Sequence, residues 1–339
     1  MTLVETTEPA SGPDVPPYPP RQGAIDVHHH VVPDFYRQAL ADAGVTSPVA
    51  GVDDFPDWDV DASLAMMDRQ GVATAMLSLS VPGVGLPDPT AARRLARRTN
   101  EFLAEVVAAH PGRFGAFAAI PLPDVDAGLA EARHALDGLG LDGVGLFTHY
   151  GRTYLGDPAF DPLLGELARR GTVGFVHPAG PHPGSAPDMD LPASVCEFPF
   201  ATTRMATQML YNGTFERHPD LRLILPHAGG TIPYLAERLT FAPVIRPTEH
   251  RPPDPWATLR SFYYDTAMAG NPITVGALRA FVPTEHIVTG TDFPFMPAWS
   301  STRNGHQLVE SGGFSADERH AVIRGNAERL FPHLHRAGT

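Results

Sequence analysis

The stretch Asp26-Val27-His28-His29-His30 sets three histidines and a carboxylate side by side. It lies within residues 24–32, which are rich in β-branched side chains and read as a strand. Residues two apart in a strand share a face, so His28 and His30 point one way and His29 the other, with the first pair's Cα atoms about 6.5–7 Å apart. That spacing lets two imidazoles meet on one ion, at metal–nitrogen distances of about 2.0–2.1 Å. Three further side chains of the same kind follow apolar runs: His177, His227 and Asp292. Histidines joined by one carboxylate suit a divalent transition metal and leave room for water or substrate. Each residue alone has a plainer use. Adjacent histidines can mark a surface turn, a lone histidine is commonly a satisfied core residue, and an aspartate behind a strand can cap the next turn.

The elements that must carry these side chains alternate regularly. Strands are expected at residues 24–32, 74–80, 114–122, 143–150, 173–178, 221–227, 262–266 and 286–292. Helices are expected at 34–43, 62–70, 90–110, 125–139, 161–170, 198–212, 232–240, 273–281 and 316–330. Eight strands alternating with helices predict a (β/α)8 barrel of the TIM type, whose active sites gather at the C-terminal ends of the strands. An open doubly wound sheet has the same alternation, but no dinucleotide-binding glycine fingerprint is present. Residues 1–22, rich in Pro, Thr and Glu, read as a disordered or extended arm, and residues 23–335 as one catalytic domain. Acidic residues 51–61 and the Pro- and Gly-rich residues 179–192 read as loops at the mouth of a site.

Composition narrows the function. The chain has 339 residues, is 43% hydrophobic, and carries a formal charge of −13. That charge argues against nucleic acid as a partner. No apolar run approaches the ~18 residues of a membrane span, and no signal-peptide core is seen, so a soluble, cytoplasmic protein is expected. One cysteine, Cys196, excludes an intramolecular disulfide and a cysteine zinc cage. All 25 basic residues are arginine. With no lysine there is no Schiff-base lysine, no P-loop lysine and no carbamylated lysine bridging two metals.

Taken together, Asp26-x-His28-x-His30, His177, His227-Ala228-Gly229-Gly230 and Gly290-Thr291-Asp292-Phe293-Pro294 resemble the amidohydrolase superfamily. The closer likeness is to the branch of aminocarboxymuconate-semialdehyde decarboxylase and γ-resorcylate decarboxylase, and it includes Gly325-Asn326-Ala327-Glu328-Arg329-Leu330-Phe331. Asp34-Phe35-Tyr36, Met67-Asp68-Arg69 and His110-Pro111-Gly112-Arg113-Phe114 are most similar to 6-methylsalicylate decarboxylase-type members. The resemblance implies one metal ion per subunit, held by His28, His30, His177 and Asp292. His227 would be an acid/base group behind the metal. Zinc is expected, manganese is also accepted by such a donor set, and no organic cofactor is needed. Arg238 matches an arginine that reaches a substrate carboxylate across a dimer interface, which implies a homodimer or homotetramer.

The activity so implied is non-oxidative decarboxylation of a small ortho-hydroxy aromatic or unsaturated carboxylic acid, such as 6-methylsalicylate. The carbon that bears the carboxylate must be protonated before carbon dioxide leaves, because an aryl carbanion is too costly. A protonated Asp292, helped by His227, is the expected donor. Phe147, Tyr150, Phe175, Phe293, Phe295 and Trp299 are candidate pocket walls. Ser80, His149, His182 and Asp265 are expected to line the site or to stand behind the ligands, and Asp26 to point with His28 and His30. The rival reading is a metal-dependent hydrolase of a lactone, amide or other C–O or C–N bond, in which His227 takes a proton from a metal-bound water. A metal-binding protein without turnover would not need every one of these strand-end residues.

Overall fold

The computed structural model describes residues 19–182, 184–185 and 189–334. Eight parallel strands follow one another around a barrel: Ala24–His30, Val72–Ser78, Phe114–Ala118, Gly143–Phe147, Val173–His177, Arg222–Leu225, Tyr263–Asp265 and Ile287–Val288. The eighth returns to the first through Val27 N–H to Thr289 O (3.0 Å), Asp292 N–H to His28 O (2.8 Å) and His30 N–H to Phe293 O (2.7 Å). The fold is therefore the expected (β/α)8 barrel. No helix among the described residues is long and apolar enough to cross a membrane.

Local chemistry sets the helix limits. Asp59 caps Val60–Gln70 by accepting from Ala62 N–H (2.6 Å), and Gly71 ends that helix with φ 76°. Asp88 caps Pro89–Ala109 in the same way, with Pro89 in the first turn. Inside the barrel, Ile25, Val27, Met76, Phe117, Val173, Phe175, Ile224 and Val288 pack in layers, closed from one end by Leu330, Phe331 and Leu334. Phe117 and Phe175 stack at 5.2 Å, and Phe175 is the floor on which the site is built.

Several boundaries differ from the sequence reading. The second strand begins at Val72, two residues early, which brings Ser78 to its end. The regular eighth strand is only Ile287–Val288. Beyond it the chain pairs with the first strand instead of the seventh, and Asp292 turns through φ 60°. A helix over Ala298–His306, continued by Gln307–Ser311, was not expected. Within Ala298–His306 the buried residues are Ser301, Gly305 and His306, so no apolar stripe announces its start. Of the expected arm, residues 1–18 lie outside the described residues. Arg21 belongs to the folded body and is fully buried, donating to Thr289 Oγ1 (3.2 Å) and to the carbonyls of Ser301 (3.1 Å) and Gly290 (3.4 Å).

Candidate active site

Four of the strand-end residues meet. Ligand atoms of His28, His30, His177 and Asp292 lie within 4.8 Å of one another, all on buried side chains. Each histidine is aimed by an outer partner. His28 Nδ1–H donates to Asp265 Oδ2 at 2.7 Å. His177 Nδ1–H donates to Pro178 O at 2.8 Å. His30 Nδ1 stands 3.0 Å from Ser78 Oγ, whose own hydrogen has the carbonyl of His29 at 3.3 Å. With the three Nδ1 atoms so engaged, the Nε2 lone pairs are left to face inward. His28 Nε2 and His30 Nε2 are 3.0 Å apart, and Asp292 Oδ1 is 3.3 Å from both.

This arrangement fits a cation. Asp292 Oδ1 is buried and accepts no hydrogen bond among the described residues. A buried carboxylate oxygen facing bare imidazole nitrogens is costly unless a positive charge lies between them. In the metal-free protein a proton does part of that work. Burial alone would lower His28, but Asp265 and Asp292 overcome it and carry it up to about 10. Burial brings His30 down to about 4, against its Asp292 contact and with help from the charge on His28. His177 is held well below the ordinary histidine range by burial, with His30 and His28 beside it. Burial works to raise Asp292, yet the charge on His28 and the contacts from His227, His28 and His30 hold it well below the usual carboxylate range.

His227 completes the group from the other side. Its Nε2 is buried, makes no hydrogen bond among the described residues, and stands 3.5 Å from Asp292 Oδ2. Its backbone N–H donates to Asp265 Oδ1 at 2.9 Å, as does that of Ala267. Asp265 therefore orients His28 with one oxygen and anchors His227 with the other. The sequence reading had Asp265 lining the site or standing behind the ligands, and it stands behind His28. Its second task arises from tertiary pairing 38 residues away and leaves no sequence signal.

The pocket wall is partly as expected. Phe175 meets His28 at 4.9 Å, Phe295 meets His30 at 5.5 Å, and Phe147 meets His177 at 6.2 Å. Phe198, not anticipated, meets His177 at 5.7 Å. Phe293 turns away and packs on His29 at 5.0 Å. Tyr150 packs behind Phe147 at 6.0 Å. Trp299 is 40% exposed on the unexpected helix. Ser80 Oγ is 3.4 Å from His177 Nε2. His149 and His182 line a different cavity of about 280 Å³ beside Arg204 and Glu197.

Asp26 does not join His28 and His30. A register irregularity between Asp26 and His29 breaks the alternation. The Asp26 carboxylate accepts instead from the backbone N–H of His28 (3.1 Å) and Thr291 (3.0 Å) and from the Thr291 hydroxyl (2.5 Å). It also stands 3.1 Å from His29 Nδ1, whose opposite nitrogen meets Ser63 Oγ at 2.9 Å. Asp26 thus ties the first strand to the segment that presents Asp292. Arg238 stands apart from the cluster, exposed on the helix Ile232–Thr240, with no side-chain hydrogen bond or ion pair among the described residues.

The geometry agrees with comparisons to known proteins. The amidohydrolase family model matches residues 25–333. The 6-methylsalicylic acid decarboxylase of Aspergillus aculeatus is 38% identical, over 92% of this chain and 97% of that one. The 6-methylsalicylic acid decarboxylase of Penicillium expansum is also 38% identical, over 91% and 96%. A crystal structure of 2,6-dihydroxybenzoate decarboxylase with bound 2,6-dihydroxybenzoate is 26% identical and superposes with a TM-score of 0.74, covering 92% of this chain and 99% of that one. The chain belongs to the amidohydrolase family.

Proposed function

We propose that this protein is a metal-dependent, non-oxidative decarboxylase of small ortho-hydroxy aromatic acids of the 6-methylsalicylate type, working in the cytoplasm. The observation that carries this reading is the end-to-end likeness to two 6-methylsalicylic acid decarboxylases, in a chain that keeps a complete inward-facing donor set. His28, His30, His177 and Asp292 would hold one divalent ion. We take zinc as the resident ion, since three imidazoles and one carboxylate suit it, with manganese the alternative. When bound, the ion supplies a Lewis acid for the substrate's carboxylate and neighbouring hydroxyl.

The chain's own groups do the rest. Phe147, Phe198 and Phe295 wall a flat ring and keep water from the reacting carbon. A proton must reach the ring carbon that bears the carboxylate before carbon dioxide departs. Burial works against the carboxylate form of Asp292, but the charge on His28 and the contacts from His227, His28 and His30 favour it. Asp292 takes its proton during turnover, and His227 Nε2, 3.5 Å from Asp292 Oδ2, is placed to pass it. The donor is thus a relay in which His227 stores and Asp292 delivers.

We further infer a homodimer, or a tetramer built from two such dimers. Tyr234, Phe241, Val244 and Ile245 are 87%, 50%, 72% and 77% exposed on the segment that carries Arg238. An apolar face of that kind favours burial against a second copy, and Arg238 would then reach the neighbour's substrate carboxylate. Light scattering on Val244→Glu and the KM of Arg238→Gln test this assembly.

The function is tested by carbon dioxide release from metal-loaded protein over 6-methylsalicylate, 2,6-dihydroxybenzoate and related acids, beside lactones and amides. Metal-dependent release supports the reading. Silence on every acid with turnover of a lactone or amide would replace it with a hydrolase.

A further inference from the structure

His227 sits on an unusual turn. His227, Ala228, Gly229 and Gly230 all have positive φ, at 53°, 56°, 73° and 65°. Two of these residues carry a Cβ, and such backbone persists only where its surroundings over-determine it. One end is fixed by the His227 N–H bond to Asp265 Oδ1. The other end is fixed by a residue of a different element.

Thr203 lies in the helix Ala193–Tyr211 and is 6% exposed. Its hydroxyl donates to Pro199 O at 2.8 Å and accepts from Thr231 N–H at 3.0 Å and from the Thr231 hydroxyl at 2.8 Å. One hydrogen and two lone pairs are all used. Pro199 O also presses on Gly230, where any Cβ would collide with it. The same hydroxyl that ends the turn therefore also engages the carbonyl against which the turn is packed.

We propose that Thr203 is a positioning residue for His227: its hydroxyl latches Thr231 and so fixes the strained 227–230 turn that aims His227 Nε2 at Asp292. This rests on the reading of His227 as the proton-passing group. The 3.5 Å gap from His227 Nε2 to Asp292 Oδ2 leaves little tolerance. A displacement of about 1 Å at a reacting group costs up to roughly 10²-fold in rate.

The test compares Thr203→Val, which keeps the shape and removes the hydroxyl, with Thr203→Ser, which restores it. In Thr203→Val, kcat should fall roughly 10- to 100-fold while KM and bound metal stay near wild type. Exchange of the Thr231 amide should accelerate, and the His227 ring resonances, assigned by their loss in His227→Asn, should shift. Thr203→Ser should recover most of each. In the His227→Asn background, Thr203→Val should cost no further rate. Wild-type kcat in Thr203→Val, or loss of metal in step with kcat, overturns the proposal. If the wild-type protein turns over no acid, the decarboxylase reading fails by itself. The ring resonances then decide the latch, and unchanged signals in Thr203→Val overturn it.

Discussion

Replacing Asp265 with asparagine should weaken the metal centre without removing any ligand. Asp265 is fully buried and acts only as an acceptor: Oδ2 takes the His28 Nδ1 proton at 2.7 Å, and Oδ1 takes the backbone N–H groups of His227 and Ala267, each at 2.9 Å. An asparagine fills the same volume but turns one of the two oxygens into a donor. If its NH2 faces His28, the ring must give up its Nδ1 proton and carry it on Nε2, the atom that has to bind metal. If its NH2 faces the other way, two buried backbone donors meet a third. Both orientations lose a charge-assisted bond, and neither has an alternative partner. Loss of a carboxylate behind a ligating histidine typically costs 10- to 100-fold in metal affinity, about 1.4–2.7 kcal/mol. Competition with a chromogenic chelator measures the loss, and activity titrated against added metal should recover in part, because His227 is also disturbed. Metal affinity in Asp265→Asn within about twofold of wild type, against the 10- to 100-fold expected, would refute the argument that Asp265 sets the His28 tautomer.

Other expectations separate the roles within the cluster. Because Asp265 and Asp292 raise metal-free His28 to about 10, an ion that binds at neutral pH must expel about one proton. Apparent affinity should therefore weaken roughly tenfold for each pH unit below about 10, and calorimetry in buffers of different ionisation heat will read the released proton; none released at pH 7 contradicts the His28 assignment. Asp292→Asn should lose both metal and turnover, whereas His227→Asn should keep its metal and a small residual turnover, as metal analysis and assay of the purified variants will show. Gly290→Ala would set a Cβ 2.7 Å from His28 Cβ and 3.2 Å from Ala267 Cβ. It should lower both thermal stability and metal content, with full metal content counting against a tight fit at that point.

The barrel and the cluster were legible in the sequence for a definite reason. Strands with apolar runs and helices with caps are local patterns, and a ligand at the end of a strand is announced by the run before it. His28, His30, His177 and Asp292 each carry that mark, and the structure brings them within 4.8 Å. What was not legible is whatever depends on partners far away in the chain. Ser78 reaches His30 across 48 residues, Asp26 reaches Thr291 across 265, and Thr203 reaches Thr231 across 28. Alternation along the first strand placed Asp26 with the ligands, but a register irregularity redirected it to the seam that closes the barrel. The helix Ala298–His306 escaped because the residues it buries, Ser301, Gly305 and His306, are small or polar and draw no apolar stripe.

Buried acidic groups account for the fit of this site to a cation. Asp26, Asp265 and Asp292 are buried together around the first, seventh and eighth strands. Arg21, fully buried beside the same eighth strand, answers them from the far side; burial draws it down to about 10 against the pull of Asp26, still high enough to stay protonated at neutral pH. Its guanidinium donates to Thr289 and Gly290, not to the inward-facing atoms of the cluster. On the near side burial disfavours a proton on His28, but Asp265 and Asp292 favour it. A metal cation held by His28, His30, His177 and Asp292 would take over that proton's part. Uncompensated charge in a dry interior costs several kcal/mol, so the burial that excludes water from the substrate also favours positive charge at this point.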